Sequence, residues 1–162
     1  MAQQQATRKV AVISGYFLTG PHSGHIAYVN LSREFVGPDD ILYVIVNNDE
    51  QAMLKKGFTF NPQEDRVAVM NALKGVDMAV LSIDKDRTVC DTIQWLCDNA
   101  EHKPYYCLNG GDVDANNPSP EDKVCAKNGI TMLYGFGDKI QSSSWILDKS
   151  VKDAYNVMFG NK

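Results

Sequence analysis

Five short apolar runs punctuate the chain, the first two rich in β-branched residues: Val10–Ile13, Ile41–Val46, Met78–Ser82, Tyr105–Leu108 and Ile130–Tyr134. The first two, uninterrupted, predict buried strands of a parallel sheet, the first covered on both faces, and the other three read as further strands. Between them the apolar positions fall at helical spacing. Ile26, Val29 and Phe35 predict a helix from about His25 to Val36, and Asp49 to Lys56 a second, capped by Asp49. Pro62 at a first helical position, followed by Val67, Met70 and Leu73, predicts a third helix over 62–73. Val89, Ile93, Leu96 and Cys97 mark the inner face of a fourth over 88–99, and 121–128 reads as a short fifth, stopped by Gly129. A last amphipathic helix follows Ser142-Ser143-Ser144, and its Trp145, Tyr155 and Phe159 are expected in the core. Strands alternating with helices predict an α/β fold: a Rossmann-like, doubly wound, open parallel sheet of five strands with helices on both faces and right-handed crossovers.

Residues 1–8 are polar and Gln-rich and are expected to form a flexible tail; 9–162 reads as a single domain. The 162 residues are 44% hydrophobic, enough for one sizeable core. A net charge of −4 with no basic stripe argues against a nucleic-acid partner. No apolar run approaches the roughly 18–20 residues of a membrane span, and the start of the chain lacks the apolar segment of a secretion signal. Cys90, Cys97, Cys107 and Cys125 contain no C-x-x-C pair, so neither zinc nor a disulfide framework is indicated. Cys90 and Cys97, seven apart, are expected to face the core. A reducing, cytoplasmic setting fits this usage.

The chemistry concentrates where strands end. After the first strand, Gly15, Gly20, Pro21 and Gly24 crowd a loop that opens a helix, so backbone N–H groups and a positive helix end converge on one spot suited to a phosphate. Pro21 and His22 occupy the positions where a P-loop needs Lys and Ser/Thr, and G-x-G-x-x-G is absent, which disfavours an NAD-dependent oxidoreductase. The loop carries His22-Ser23-Gly24-His25 instead, two imidazoles able to donate to phosphate oxygens; the alternative is a pair of histidines that cap the helix. Asn47-Asn48-Asp49 closes the second strand at the edge that faces the ligand crevice in open α/β sheets. Lys55-Lys56-Gly57 either completes a helix C-terminus or turns one lysine toward a triphosphate, and spacing does not say which lysine. Asn109-Gly110-Gly111-Asp112 allows close backbone approach to a ligand at the end of the fourth strand. Lys139, Gln141 and the three serines stand before the last helix, so a triphosphate can be held between two helix N-termini.

Gly15, Phe17 and His22-x-Gly-His25 resemble the H-x-G-H signature of the nucleotidylyltransferase superfamily, especially its small cytidylyltransferase-like members, and the likeness runs from Lys9 to about Ile146. Two departures stand out. Leu18-Thr19-Gly20-Pro21 fills the gap before the first histidine with one extra residue and without the family's Asp, and Gln141 replaces the Ile of an Ile-Ser-Thr/Ser-Thr/Ser phosphate-binding segment whose upstream Arg is missing. In this respect the end of the chain is closer to the heptose-phosphate members than to the glycerol-phosphate ones. The resemblance implies in-line attack of an acceptor phosphate on the α-phosphorus of a nucleoside triphosphate, CTP first and ATP as the alternative, with Mg²⁺ bridging the phosphates and no protein side chain as metal ligand. His22, His25, Lys55 and Lys56 would be catalytic. Gly15, Tyr16, Phe17, Gly24, Lys139, Gln141, Ser142, Ser143 and Ser144 would hold the nucleotide, and Asn47, Asp49, Arg66, Gly110, Gly111 and Asp112 the acceptor. The acceptor is expected to be a sugar-, glycerol- or alcohol-phosphate, or with ATP a heptose-, pantetheine- or nicotinamide-type molecule, and the protein a homodimer with no membrane or nucleic-acid partner. A non-catalytic nucleotide-binding module is the reading from another class.

Overall fold

The computed structural model describes residues 8–111, 114 and 116–160. Strands β1 (Val10–Gly15), β2 (Ile41–Val46), β3 (Met78–Leu81), β4 (Pro104–Leu108) and β5 (Thr131–Leu133) form one sheet in the order β3-β2-β1-β4-β5. All four pairings are parallel, and Val10 to Gly15 lie directly beside Ile41 to Val46. The alternation of a pleated strand then sorts the apolar residues into two layers. Val10, Val12, Tyr43 and Ile45 face one way, against α4 (Cys90–Asn99) and α5 (Asp122–Lys127). Ala11, Ile13, Leu42, Val44 and Val46 face the other, against α1 (Ser23–Val36) and α3 (Gln63–Asn71). Every residue of β2 is buried, as its unbroken apolar run requires.

The chain moves outward from β1 to β2 and β3, then crosses back to place β4 on the opposite side of β1. The order therefore reverses between β1 and β4, and the crevice beyond their carboxyl ends is where an open α/β sheet accepts a ligand.

Several boundaries differ from the sequence pattern for identifiable reasons. α2 (Asp49–Lys56) is capped by Asn48, not Asp49: Asn48 Oδ1 accepts from Gln51 N at 2.9 Å and Gln51 Oε1 accepts from Asn48 N at 3.0 Å. Pro62 is the cap of α3 and not its first turn. α4 starts at Cys90 because Asp86 Oδ1 accepts from both Thr88 N and Thr88 Oγ1, holding Thr88 in the preceding turn. All four cysteines are free thiols; Cys97 is buried but Cys90 is only half-buried. The largest correction is α6 (Ser143–Phe159), which buries no residue at all. Trp145, Tyr155 and Phe159 are 54%, 61% and 66% exposed. Helical spacing aligns them along the helix, but among the described residues no layer covers that face. Among the described residues no helix is long and apolar enough to cross a membrane.

Arg66, expected at the acceptor, lies instead inside the protein at 1% exposure. Its Nη1 donates to the carbonyls of Tyr16 and Asn47, both at 2.6 Å, its Nε to Asn61 O at 3.0 Å, and its Nη2 to Asp49 Oδ1 at 2.6 Å. It therefore ties the carboxyl ends of β1 and β2 to α3. Arg66→Ala is expected to destabilise the fold by about 3–5 kcal/mol, the usual consequence of breaking a buried hydrogen-bonded ion pair. Arg66→Lys is expected to recover little, since one ammonium cannot reproduce the fork. Urea unfolding midpoints check both.

Candidate active site

β1 ends at Gly15, and the chain turns at once. Phe17 takes φ +50°, the left-handed region that a bulky residue enters only when its surroundings hold it there. Its ring is buried and folds back over Gly15, where a Cβ would stand 2.7 Å from the ring's Cζ. Glycine at 15 is thus required by the ring at 17. The other side of that ring meets His25 edge-on, with centroids 4.6 Å apart.

His22 precedes the first turn of α1, and its backbone N–H donates to His25 Nδ1 at 3.4 Å. The two imidazoles stack with centroids 3.7 Å apart and planes 22° from parallel. Burial, reinforced by His22, pushes His25 down to about 3, and burial lowers His22 as well. Because Nδ1 of His25 accepts the backbone hydrogen bond, its proton resides on Nε2, leaving a neutral N–H to offer a ligand. Nδ1 of His22 is buried and has no hydrogen-bond partner among the described residues.

The N-terminus of α6 faces that of α1. Ser142 caps α6 by accepting from Trp145 N at 3.2 Å, and Thr19 Oγ1 donates to Ser143 Oγ at 3.2 Å. Gly24 separates the two ends; a Cβ there would stand 3.2 Å from the His22 ring and 3.3 Å from the Gln141 carbonyl oxygen. From a third side the last turn of α2 brings in both lysines. Lys56 Nζ donates to Ser144 Oγ at 2.7 Å, and Lys55 Nζ lies 4.3 Å from the centre of the Tyr16 ring. The proton affinity of Lys55 is lowered by burial first and then by the like charges of Lys56, Lys139 and Arg87. Beyond β4, Gly110 packs so tightly that a Cβ would meet the Phe136 carbonyl oxygen at 2.7 Å, and Gly111 N donates to Gly137 O at 2.9 Å.

These elements enclose a cleft of about 400 Å³. His22, His25, Lys55, Lys56, Gly15, Tyr16, Phe17, Gly24, Lys139, Gln141, Ser142, Ser143, Ser144, Gly110 and Gly111 all line it. Arg66, Asn47 and Asp49 do not. Asn47 is buried and its Nδ2 donates to Gln51 Oε1 at 3.1 Å, while Asp49 is spent on Arg66; all three support the loops from behind. Asp112 lies outside the described residues. Tyr28, Phe136 and Asp138 also line the cleft and escaped the sequence pattern. Tyr28 stands three residues after His25, hence on the same helix face, and its hydroxyl donates to the Leu108 carbonyl at the end of β4. That spacing was the available signal.

Gly110→Ala is expected to force the Phe136 carbonyl aside, lowering stability by about 1–3 kcal/mol and opening the cleft wall; thermal melts and ligand titrations measure the two effects. His25 also gives the protein a pH dependence. Its folded value of about 3 lies below the unfolded value near 6.5, so between those limits the unfolded chain holds more protons and stability falls as the pH drops. Above about 6.5 the contribution is flat. Wild-type protein is expected to lose more stability than His25→Gln between pH 7 and pH 4.5, read from urea midpoints at each pH.

A family model described as cytidylyltransferase-like matches residues 20–142, which include His22 and Ser142. Among curated proteins, the bifunctional protein HldE of Cronobacter sakazakii is 31% identical over 148 residues, covering 90% of this chain and 29% of its own length. The FAD synthase of Methanopyrus kandleri is 33% identical over 78 residues, 48% of this chain and 52% of that protein. The chain thus spans about three-tenths of the HldE relative. A crystal structure of a lipopolysaccharide core biosynthesis protein from Thermoplasma volcanium superposes with a TM-score of 0.60 at 22% identity, covering 78% of this chain and 94% of that one, a likeness of fold. The match over residues 20–142, which takes in the start of α1 and ends at the Ser142 cap of α6, shows that the chain belongs to the cytidylyltransferase-like family of nucleotidyltransferases.

Proposed function

We propose that the protein transfers a nucleotidyl group from a nucleoside triphosphate to the phosphate of a small phosphorylated acceptor, releasing pyrophosphate. The observation that carries this reading is the cleft itself: two helix N-termini, α1 and α6, face one another across Gly24, and Lys55, Lys56 and Lys139 close the third side. That geometry suits a chain of phosphates better than a single one. An acceptor phosphate oxygen attacks the α-phosphorus, the bond to the bridging oxygen breaks, and the electron pair leaves with pyrophosphate. Most of the catalytic work is positioning and charge stabilisation. The Nε2–H of His25 and the His22 ring sit at the α1 end, suited to the α-phosphoryl oxygens, and the lysines to the departing pyrophosphate.

Magnesium enters as the nucleotide's own ion. Phosphate oxygens would hold it in a cleft that Lys55, Lys56 and Lys139 line together with the carboxylate of Asp138. When bound, it spreads the charge that develops on the phosphates.

CTP is the donor that the family description suggests. ATP is the second reading and is favoured by the likeness to an FAD synthase, since FAD contains an adenylyl half. The reaction is tested by pyrophosphate release with Mg²⁺ from CTP and ATP separately, against glycerol, sugar, ethanolamine, choline, pantetheine, nicotinamide-ribose and riboflavin phosphates. Release with one pair is expected, and His25→Ala is expected to reduce it by about 100- to 1000-fold, the usual effect of removing one charge-stabilising donor. Nucleotide binding without release across the panel would instead make the protein a non-catalytic nucleotide-binding module.

A further inference from the structure

Lys55 stands where a flexible side chain has reasons to leave. It belongs to the last turn of α2, it is partly desolvated, and Lys56, Lys139 and Arg87 all bring like charge toward it. Three like charges with burial drive an ammonium outward into water. Yet its Nζ lies over the face of Tyr16, 4.3 Å from the ring centre, where the negative face of an aromatic quadrupole attracts a cation.

Tyr16 is well placed to serve as a platform. It is the first residue beyond β1, and its carbonyl accepts from the buried Arg66 guanidinium at 2.6 Å, so the backbone under the ring is pinned to the core. The phenol oxygen is buried and makes no hydrogen bond among the described residues. Only the ring, not the hydroxyl, is engaged.

We propose that Tyr16 is a positioning residue, whose ring face holds the Lys55 ammonium over the cleft so that it meets an incoming polyphosphate. This rests on the reading of the cleft as a nucleoside triphosphate site. Lys55 touches the ligand; Tyr16 acts through it. The ring also explains why an aromatic stands at a loop position whose backbone alone would suffice to bind Arg66.

Two measurements test the proposal, on variants first shown to keep the wild-type melting temperature. In the ligand-free protein, the Lys55 ε-CH₂ protons are expected to show an upfield ring-current shift by NMR. The shift should vanish in Tyr16→Leu and persist in Tyr16→Phe. In titration calorimetry with inorganic tripolyphosphate as probe, Tyr16→Leu is expected to weaken binding by about 3- to 30-fold, the range of a partly desolvated cation–π contact. Tyr16→Phe should stay within about twofold, and Tyr16→Leu added to Lys55→Gln should cost nothing further. An equal loss in the Lys55→Gln background, or no ring-current shift at Lys55 in the wild type, would overturn the proposal. Should wild-type protein bind neither tripolyphosphate nor nucleotide, the proposed function fails, and the NMR shift still decides whether Tyr16 positions Lys55.

Discussion

A single guanidinium holds together the carboxyl ends of the two innermost strands. Parallel strands end with unpaired carbonyls, and at Tyr16 and Asn47 these point inward to the Arg66 guanidinium. Arg66 answers both from one nitrogen and uses its remaining donors on Asn61 and Asp49. Burying a charge is costly, but here three carbonyl dipoles and a carboxylate surround it. The consequence reaches the cleft in two directions. Through Tyr16 the clamp fixes the turn that carries Phe17 and, behind it, the stacked histidines. Through Asp49 it fixes the first turn of α2, whose last turn delivers Lys55 and Lys56.

The same clamp shows where a sequence stops being informative. β2 was legible because a run buried on both faces must be apolar throughout, whereas the partly exposed β3, β4 and β5 show only as short apolar runs between helical patterns. The cleft was legible because backbone chemistry announces itself: glycines at 15, 24 and 110 stand where a Cβ would collide with Phe17, Gln141 and Phe136. The sequence leaves Arg66 open between a ligand contact and a surface or ion-paired arginine, because composition cannot tell an arginine that faces a substrate from one that faces carbonyls; tertiary packing decides for the ion pair. Lys55 and Lys56 were not separable for a related reason. Adjacent residues on a helix point about 100° apart, yet both reach the cleft because Lys56 turns to Ser144 and Lys55 to Tyr16. The exposed α6 aromatics mark the converse limit: period reports a stripe, not its cover.

The electrostatics of the cleft divide into a floor and a rim. At the floor, burial lowers the proton affinity of both His22 and His25, and His22 lowers that of His25 further. At the rim, Lys55, Lys56 and Lys139 carry charge, Lys55 against the resistance of its neighbours. Such a rim attracts an anion before contact, because crowded like charges gain most when a counter-charge enters. The floor answers afterwards. A phosphate beside His25 opposes only the second of the two influences that lower its proton affinity and adds to the first, burial, so the imidazole meets a ligand as a neutral Nε2–H donor. The α1 end therefore offers neutral donors and a helix dipole, whereas the α2 end offers lysine side chains. In the proposed transfer, lysines suit pyrophosphate, whose charge is present before and after the step. Fixed neutral donors suit the α-phosphoryl group, whose equatorial oxygens need stabilisation mainly while the bonds are changing.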